Sequence, residues 1–340
     1  MKLKYYILKR SLFSIFTLFG LIIITFILAY IIPGDPARLM AGPFAPHEQV
    51  EEIRKELGLD KPIHEQFLLY MGRLLRGDLG ISVHTRRPVI EDIKEYFAAT
   101  FELTTVSIII GLIIGIPLGV LSAYKKDKIP DHLARLFSLS DDSKPQFWLV
   151  LMLQLIFCSQ LGMLPSGGRV DYQVLDQSPL THITGLYLLD SLLTGNLPVF
   201  INCLQHIILP AMCLSYASLA VITRMLRANM LEVIREDYIV TAKAYGFPDR
   251  KILFKYALKN ALIPTVTIVS LSYAYSLAGA FVVESVFSWP GLGRYAAFSI
   301  INSDYPAIMG VTLLVGLLYT IINLVVDISY LLIDPRIRLG

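Results

Sequence analysis

A run of about 20 consecutive apolar residues leaves a polypeptide few choices, because a helix of that length matches the roughly 30 Å hydrocarbon core of a bilayer. Residues 11–32, SLFSIFTLFGLIIITFILAYII, form such a run. It is too long for the core of a signal peptide and leads into Pro33-Gly34-Asp35-Pro36 without a small-residue cleavage site, so a retained membrane helix is expected. Further segments that meet or approach this length lie at residues 103–124, 147–164, 204–222, 265–284 and 308–333, giving six expected spans. Composition agrees. The 340 residues are 55% hydrophobic and 17% charged, with a mean hydropathy of +0.60, outside the profile of a soluble globular chain.

Orientation follows from Lys and Arg near the span ends. With six spans, one side collects Lys2, Lys4, Lys9 and Arg10, then Lys125, Lys126, Lys128 and Arg135, then Arg224, Arg227, Arg235, Lys243, Arg250, Lys251, Lys255 and Lys259, and finally Arg336 and Arg338. The loops at 166–202 and 285–305 carry only Arg169 and Arg294. Both termini are therefore expected in the cytoplasm of a multi-pass protein of the cell (inner or plasma) membrane. The first external loop, residues 33–100, has basic residues of its own, but loops of that length cross largely regardless of charge. Within it, Val50, Ile53 and Leu57 share one helical face before Gly58, and Ile63, Phe67, Met71 and Leu74 share another before Gly77. Two short amphipathic helices are expected there, as a cap on the outer surface.

Several function classes are disfavoured. A net charge of +3, spread by topology, makes no nucleic-acid patch. Cys158, Cys203 and Cys213 form no CxxC pair and read as small hydrophobes, and the six histidines lack metal-ligand spacing. No GxxxxGK[ST] loop or HExxH occurs, so no catalytic residue, bound nucleotide, cofactor or metal is expected, and the chain is not read as an enzyme.

One stretch breaks the apolar pattern. EDYIVTAKAYGFPDRKILFKYALKNALIP, residues 236–264, falls on the cytoplasmic side between spans four and five. Ile234, Tyr238, Ala242 and Tyr245 lie at helical spacing, and Gly246 suits the left-handed position that ends a helix. Pro248 and Asp249 then suit the first turn of a second helix. A helix, a tight turn and a helix at the membrane surface could dock into a partner or lie on the headgroups as an interfacial loop.

The sequence DYIVTAKAYGF followed by ALKNALIP resembles the cytoplasmic EAA loop of ABC-transporter permeases, in the form found in the dipeptide/oligopeptide/nickel permease family. That family's EAA triplet appears here as Val240-Thr241-Ala242, with Gly246 in the glycine position. IIPGDPARLMAG, LGLDKPIHEQF, GDLGIS, GAFVVESVFSWPGLGRY and NLVVDISYLLIDPRIR are similar to stretches of the family's B-type permeases in the same order. THITGLYLLDSLLTGN resembles the variant of D,D-dipeptide and related permeases.

The resemblance implies an all-α membrane protein of six transmembrane helices. Residues 1–95 would be an added N-terminal helix and external cap, 96–327 an ABC type-1 (MetI-like) permease core with a coupling loop at 223–264, and 328–340 the end of the last span and a cytoplasmic tail. The implied assembly is a binding-protein-dependent importer: a heterodimer with a second permease subunit, two ABC ATPase subunits that hydrolyse ATP, and an external solute-binding protein, in contact with membrane lipid and with no nucleic acid. Dipeptides or short oligopeptides are the implied cargo, with nickel or a nickel chelate as the alternative. Asp237, Tyr238, Thr241, Ala242 and Gly246 are the implied ATPase-coupling residues.

A proton-coupled secondary transporter is the competing class, since ionisable residues in spans are functional suspects. Glu284 and Asp327 are its candidates. Glu284 is expected at the outer end of span five, within reach of water, and Asp327 lies one turn after Asn323, so these intramembrane polar groups are read as structural, the latter two as a hydrogen-bonded pair. One segment departs from the family: Ser138-Leu139-Ser140-Asp141-Asp142-Ser143-Lys144-Pro145 stands where the family runs apolar into span three. A charge at the bilayer centre costs about 2.5 to 3.5 kcal/mol. The helix is therefore expected to begin near Pro145, with Asp141 and Asp142 at the cytoplasmic mouth as a cap on its start.

Overall fold

The computed structural model describes residues 3–30, 36–41, 45–58 and 60–333. Residues 33–35 of the predicted turn after span one, Lys2, and Arg336 and Arg338 of the predicted tail lie outside the described residues. The described chain is helical, with no strand beyond a single bridge between Ile81 and Pro88. In order the helices are α1 (Leu3–Tyr30), α2 (Pro36–Ala41), α3 (His47–Leu57), α4 (Ile63–Leu75), α5 (Val89–Tyr124), α6 (Ile129–Ser143), α7 (Gln146–Gln154), α8 (Tyr172–Gln177), α9 (Tyr187–Leu193), α10 (Leu197–Val233), α11 (Asp237–Ala244), α12 (Asp249–Lys251), α13 (Leu258–Gly279), α14 (Phe281–Val286), α15 (Leu292–Ile301) and α16 (Tyr305–Ile333). Two π-helical turns, Leu155–Gln160 and Ile252–Ala257, continue α7 and lead into α13. Among the described residues, five helices are long and apolar enough to cross a membrane: Leu8–Ile27, Val89–Tyr124, Leu197–Val233, Asp249–Gly279 and Tyr305–Ile328.

The chain divides into two units. In the first, Met1–Ala98 with Gly291–Leu324, Phe26, Tyr70 and Met309 form one core, and Val89, Ile93, Leu292, Tyr295, Ala307 and Val311 form another. The two predicted amphipathic helices are α3 and α4, each followed by a glycine in the left-handed region, Gly58 at φ +70 and Gly77 at φ +76. Gly316 admits Leu21 where a side chain would collide, which brings α16 close to α1.

The second unit, Ala99–Pro290 with Val325–Gly340, is built around α10. Asn196 caps α10 by accepting the Val199 N–H at 3.3 Å. Gly111, Gly115 and Gly119 recur one turn apart on α5. A Cβ at each would lie 3.0 Å from Ser218, Ile222 and Leu226 respectively, so these glycines let α10 approach closely.

The third crossing differs from expectation. The apolar helix Gln146–Gln160 is too short to span a bilayer alone. However, α6 runs beside the C-terminal half of α10: Arg227 pairs with Asp131, Arg224 Nη1 donates to the Ser138 carbonyl at 2.7 Å, and Ser140 and Tyr216 share a hydroxyl hydrogen bond. Beyond the break at Lys144-Pro145, α7 joins the N-terminal half, where Val150 shares a core with Ile207, Leu209, Ala211 and Cys213. Together α6 and α7 follow α10 as one broken helix. Asp141 thus lies inside α6 and not at the mouth of a helix starting at Pro145, and the start of α7 has no side-chain cap. The Asp142 side chain lies outside the described residues.

Candidate functional site

The segment singled out by its charge is a capped helix joined to a membrane helix. Asp237 stands in the first turn of α11, where its charge complements the helix dipole, and Thr241 Oγ1 donates to the Asp237 carbonyl at 2.8 Å. At the other end Gly246 adopts φ +75. Its N–H reaches the Lys243 carbonyl at 2.9 Å and the Phe247 N–H reaches the Ala242 carbonyl at 3.3 Å, the paired bonds of a Schellman motif. A Cβ at Gly246 would meet nothing within 4 Å, so the backbone angle alone selects glycine there.

The buried face of α11 matches the predicted stripe only in part: Ala242 and Ile234 pack inward, and Tyr238 and Tyr245 do not. Ile239 and Ala242 pack into a core with Leu226, Met230, Ile252, Leu253 and Ala257, whereas Tyr238 and Tyr245 are exposed. Ala242 therefore helps to seat the helix and leaves little surface of its own for a partner. Asp237, Thr241 and Gly246 are exposed, with Val240 at 56% and Tyr245 at 80%. The Tyr238 hydroxyl accepts from Asn260 Nδ2 at 2.6 Å, linking α11 to α13.

The second helix does begin at Asp249, but it is no separate hairpin arm. Helix α12 passes through the π-helical turn Ile252–Ala257 directly into α13, giving one apolar helix from Asp249 to Gly279. Its start is fixed by Asp249 Oδ2, which accepts from the Tyr124 hydroxyl at 2.9 Å, and by Phe247, which stacks on Tyr256 and lies 4.3 Å under the Lys251 ammonium. Only the four-residue turn 245–248 separates α11 from this helix.

The floor beside this element is tied together by a buried charge and its hydrogen bonds. Asp131, fully buried, receives Arg227 Nε and Nη2 at 2.6 and 2.9 Å, Ser122 Oγ at 2.6 Å and the Asp127 N–H at 2.9 Å. The Arg227 guanidinium, aided by those hydrogen bonds, holds this carboxyl well below the usual carboxylate range despite its burial. Asn229 Nδ2 bridges to Thr265 Oγ1 at 3.2 Å, tying α10 to α13.

Glu284 is fully buried and accepts from Thr100 Oγ1 at 2.5 Å, so it is not a water-exposed group at a helix end. Asn323 lines a small crevice with Ser14, Thr17 and Thr320. Asp327 is half-buried on α16, one turn further on.

A second polar cluster escaped the sequence reading. Arg169 Nη2 meets Glu102 Oε2 at 2.5 Å and the Gly185 carbonyl at 3.0 Å, and its guanidinium lies 3.7 Å from the Tyr187 ring centre and 5.7 Å from that of Trp289. Glu102 Oε1 also accepts the Leu188 N–H at 2.7 Å. The one available signal was Arg169 itself, a lone arginine in a loop otherwise free of basic residues.

The family described as binding-protein-dependent transport system inner membrane component matches residues 115–339, and its N-terminal counterpart matches residues 3–104. The chain is 49% identical over 321 residues to the probable D,D-dipeptide transport system permease protein DdpB of Escherichia coli strain K12, covering 94% of each chain. It is 41% identical over 333 residues to the dipeptide transport system permease protein DppB of Alkalihalophilus pseudofirmus, covering 98% of this chain and 99% of that one. To the glutathione transport system permease protein GsiC of Escherichia coli O6:H1 it is 38% identical over 333 residues, 98% of each. A multi-pass helical fold agrees with these matches: the chain belongs to the family of inner-membrane permease components of binding-protein-dependent transport systems.

Proposed function

We propose that the chain is one permease subunit of an ATP-driven ABC importer that takes up dipeptides or short oligopeptides delivered by an external solute-binding protein. The full assembly on this reading holds a second, different permease and two ATPase subunits, with both termini of this chain in the cytoplasm. The names of the relatives, which refer to dipeptides, D,D-dipeptides and glutathione, favour peptide cargo over nickel. One observation carries the mechanism. Helix α11 is seated by Ile239 and Ala242, presents Tyr238, Val240 and Tyr245 outward, and is joined by the short turn at Gly246 to the helix Asp249–Gly279. A partner that grips the outer face and moves would move a membrane helix with it.

The burial of Glu284 against Thr100 weighs against a proton-coupled transporter in which that carboxyl exchanges protons with water. The test is uptake of labelled alanyl-alanine by proteoliposomes holding the whole complex. Uptake that requires internal ATP and survives an uncoupler supports the importer; uptake abolished by the uncoupler and indifferent to ATP overturns it.

A further inference from the structure

The break between α6 and α7 occupies an unusual place. Tyr216, the partner of Ser140, stands 19 residues after Leu197 and 17 before Val233, at the middle of the 37-residue helix α10. At 1.5 Å per residue each half is about 26 to 29 Å long, so α6 ends at mid-height of a membrane-crossing helix. Broken helices at that depth are tolerated where they line a polar cavity, since their freed backbone groups need partners.

A groove with polar groups in its wall lies at the break. It holds about 280 Å³ and is lined by Gln146, Ala217, Ser272, Tyr275, Ser276 and Gly279, among others, from α7, α10 and α13. Its wall sets these small and polar residues among apolar ones, Leu214 and Val221, and is apolar over most of its area. By contrast, α6 exposes Ile129, Leu133, Leu136 and Leu139, the large apolar side chains expected of a surface facing acyl chains. Two residues before Gln146 stands Lys144, which is exposed and forms no ion pair among the described residues. Among the described residues of this unit, no hydrogen bond or ion pair uses that charge.

We propose that this groove and the helix break are a cargo-binding site on the translocation path, where Lys144 receives the carboxylate end of a short peptide and Gln146, Ser272, Tyr275 and Ser276 hydrogen-bond its amide groups. The chemistry matches. A peptide bond presents one donor and one acceptor, which an amide and hydroxyl groups can satisfy, and a free C-terminus presents the one formal anion that a lysine ammonium complements. The size matches as well, since this volume sits at the small end of small-molecule sites and suits a peptide of two or three residues. The site deepens the importer reading and rests on it: the binding protein would choose the cargo, and this groove would hold it halfway across.

The test uses the whole complex in proteoliposomes with alanyl-alanine, in L,L and D,D forms, as the probe. Uptake by the unaltered complex is the control for the importer reading; its absence overturns that reading, and this site with it. With the control positive, Lys144→Gln should raise KM for uptake about tenfold, as loss of a charge-assisted contact would, while ATP hydrolysis stimulated by the loaded binding protein persists. Lys144→Arg should restore most of the uptake. Independently, Ser276→Cys, in a chain whose three native cysteines are replaced by serine, should react with a small thiosulfonate severalfold more slowly when the peptide is loaded under vanadate arrest. Unchanged KM in Lys144→Gln together with no protection at Ser276→Cys would overturn the site and leave the importer reading standing.

Discussion

Two connecting segments of the second unit are held in opposite ways. Residues 162–196, between α7 and α10, are tied down by buried polar contacts, although Tyr172, Ile183, Leu192 and Leu193 face outward. The ion pair of Arg169 and Glu102 is buried on both sides, and the guanidinium lies against Tyr187 and Trp289. Gly167 lets the chain approach so closely that a Cβ there would lie 2.5 Å from the Phe287 carbonyl oxygen, while the Gly168 N–H donates to that same oxygen at 2.9 Å. Asp190 gathers the N–H groups of Ile183, Thr184 and Gly185 and the Thr184 hydroxyl. Burial pushes the Asp190 carboxyl up, but those four hydrogen bonds outweigh it and leave the group below its ordinary value. Residues 235–248, between α10 and α12, are instead seated by two buried side chains and expose an aromatic face. The first segment is held by charge pairs and hydrogen bonds within the unit; the second has few such ties, which supports the proposal that its exposed face is held by a partner.

The largest expected effect lies in the locked segment. Arg169→Ala would leave the Glu102 carboxylate buried and unpaired, at a cost of about 3 to 5 kcal/mol. Thermal unfolding of the detergent-solubilised chain should show a lower midpoint or loss of folded protein. Adding Glu102→Gln should recover part of the loss, because the orphaned charge is gone. If the double variant is as damaged as the single one, packing of the arginine stem and not the charge pair is what locks the segment.

Asp131→Asn comes next, at about 3 kcal/mol, since its partner Arg227 keeps some contact with solvent. The pH dependence has a definite sign. A carboxyl whose folded-state pKa is depressed contributes stability that is fully present above its unfolded value, near 3.8, and is lost as pH falls through the folded value. The contribution of Asp131 should therefore be flat from about pH 5 to 8 and vanish only in strong acid, with Asp131→Asn removing that acid-side slope. A slope near neutral pH that disappears in Asp131→Asn would contradict the assignment.

Gly246→Val should cost about 1 to 2 kcal/mol through the left-handed backbone angle alone, because the space around the site is open. Uptake should fall further than stability does, and Gly246→Asn, which tolerates that angle, should retain much of both. Equal losses in the two variants would mean that the turn needs the absence of a side chain and not the angle.

How much of this was readable beforehand depends on the range of each interaction. Gly246, Pro248 and Asp249 signal their turn within a few residues, and the two glycine-terminated helices α3 and α4 do the same. Apolar length alone revealed the five long helices. The broken third crossing stayed hidden because α6 carries charge and is held to α10 by Asp131 and Arg227, 96 residues apart. Glu102 and Arg169 are 67 residues apart, and Glu102 falls one residue outside the span boundary drawn at Leu103. The buried face of α11 was half legible: Ala242 lies on the predicted stripe, but Tyr238 and Tyr245, apolar by type, stay exposed while Ile239 packs inward. The π-helical turn Ile252–Ala257 has no signature in the residues, since such a turn is stabilised by its surroundings.

The smallest effect on stability should accompany the most direct test of the central claim. Cysteines placed at Val240 and Tyr245, on the exposed face of α11, should change stability by no more than about 0.5 kcal/mol. In the assembled complex both should crosslink to an ATPase subunit with a yield that changes when ATP binds, while a cysteine at the buried Ala242 should not crosslink. Crosslinks to lipid alone, or a yield indifferent to ATP, would contradict the account and leave the helix Asp249–Gly279 without a motor.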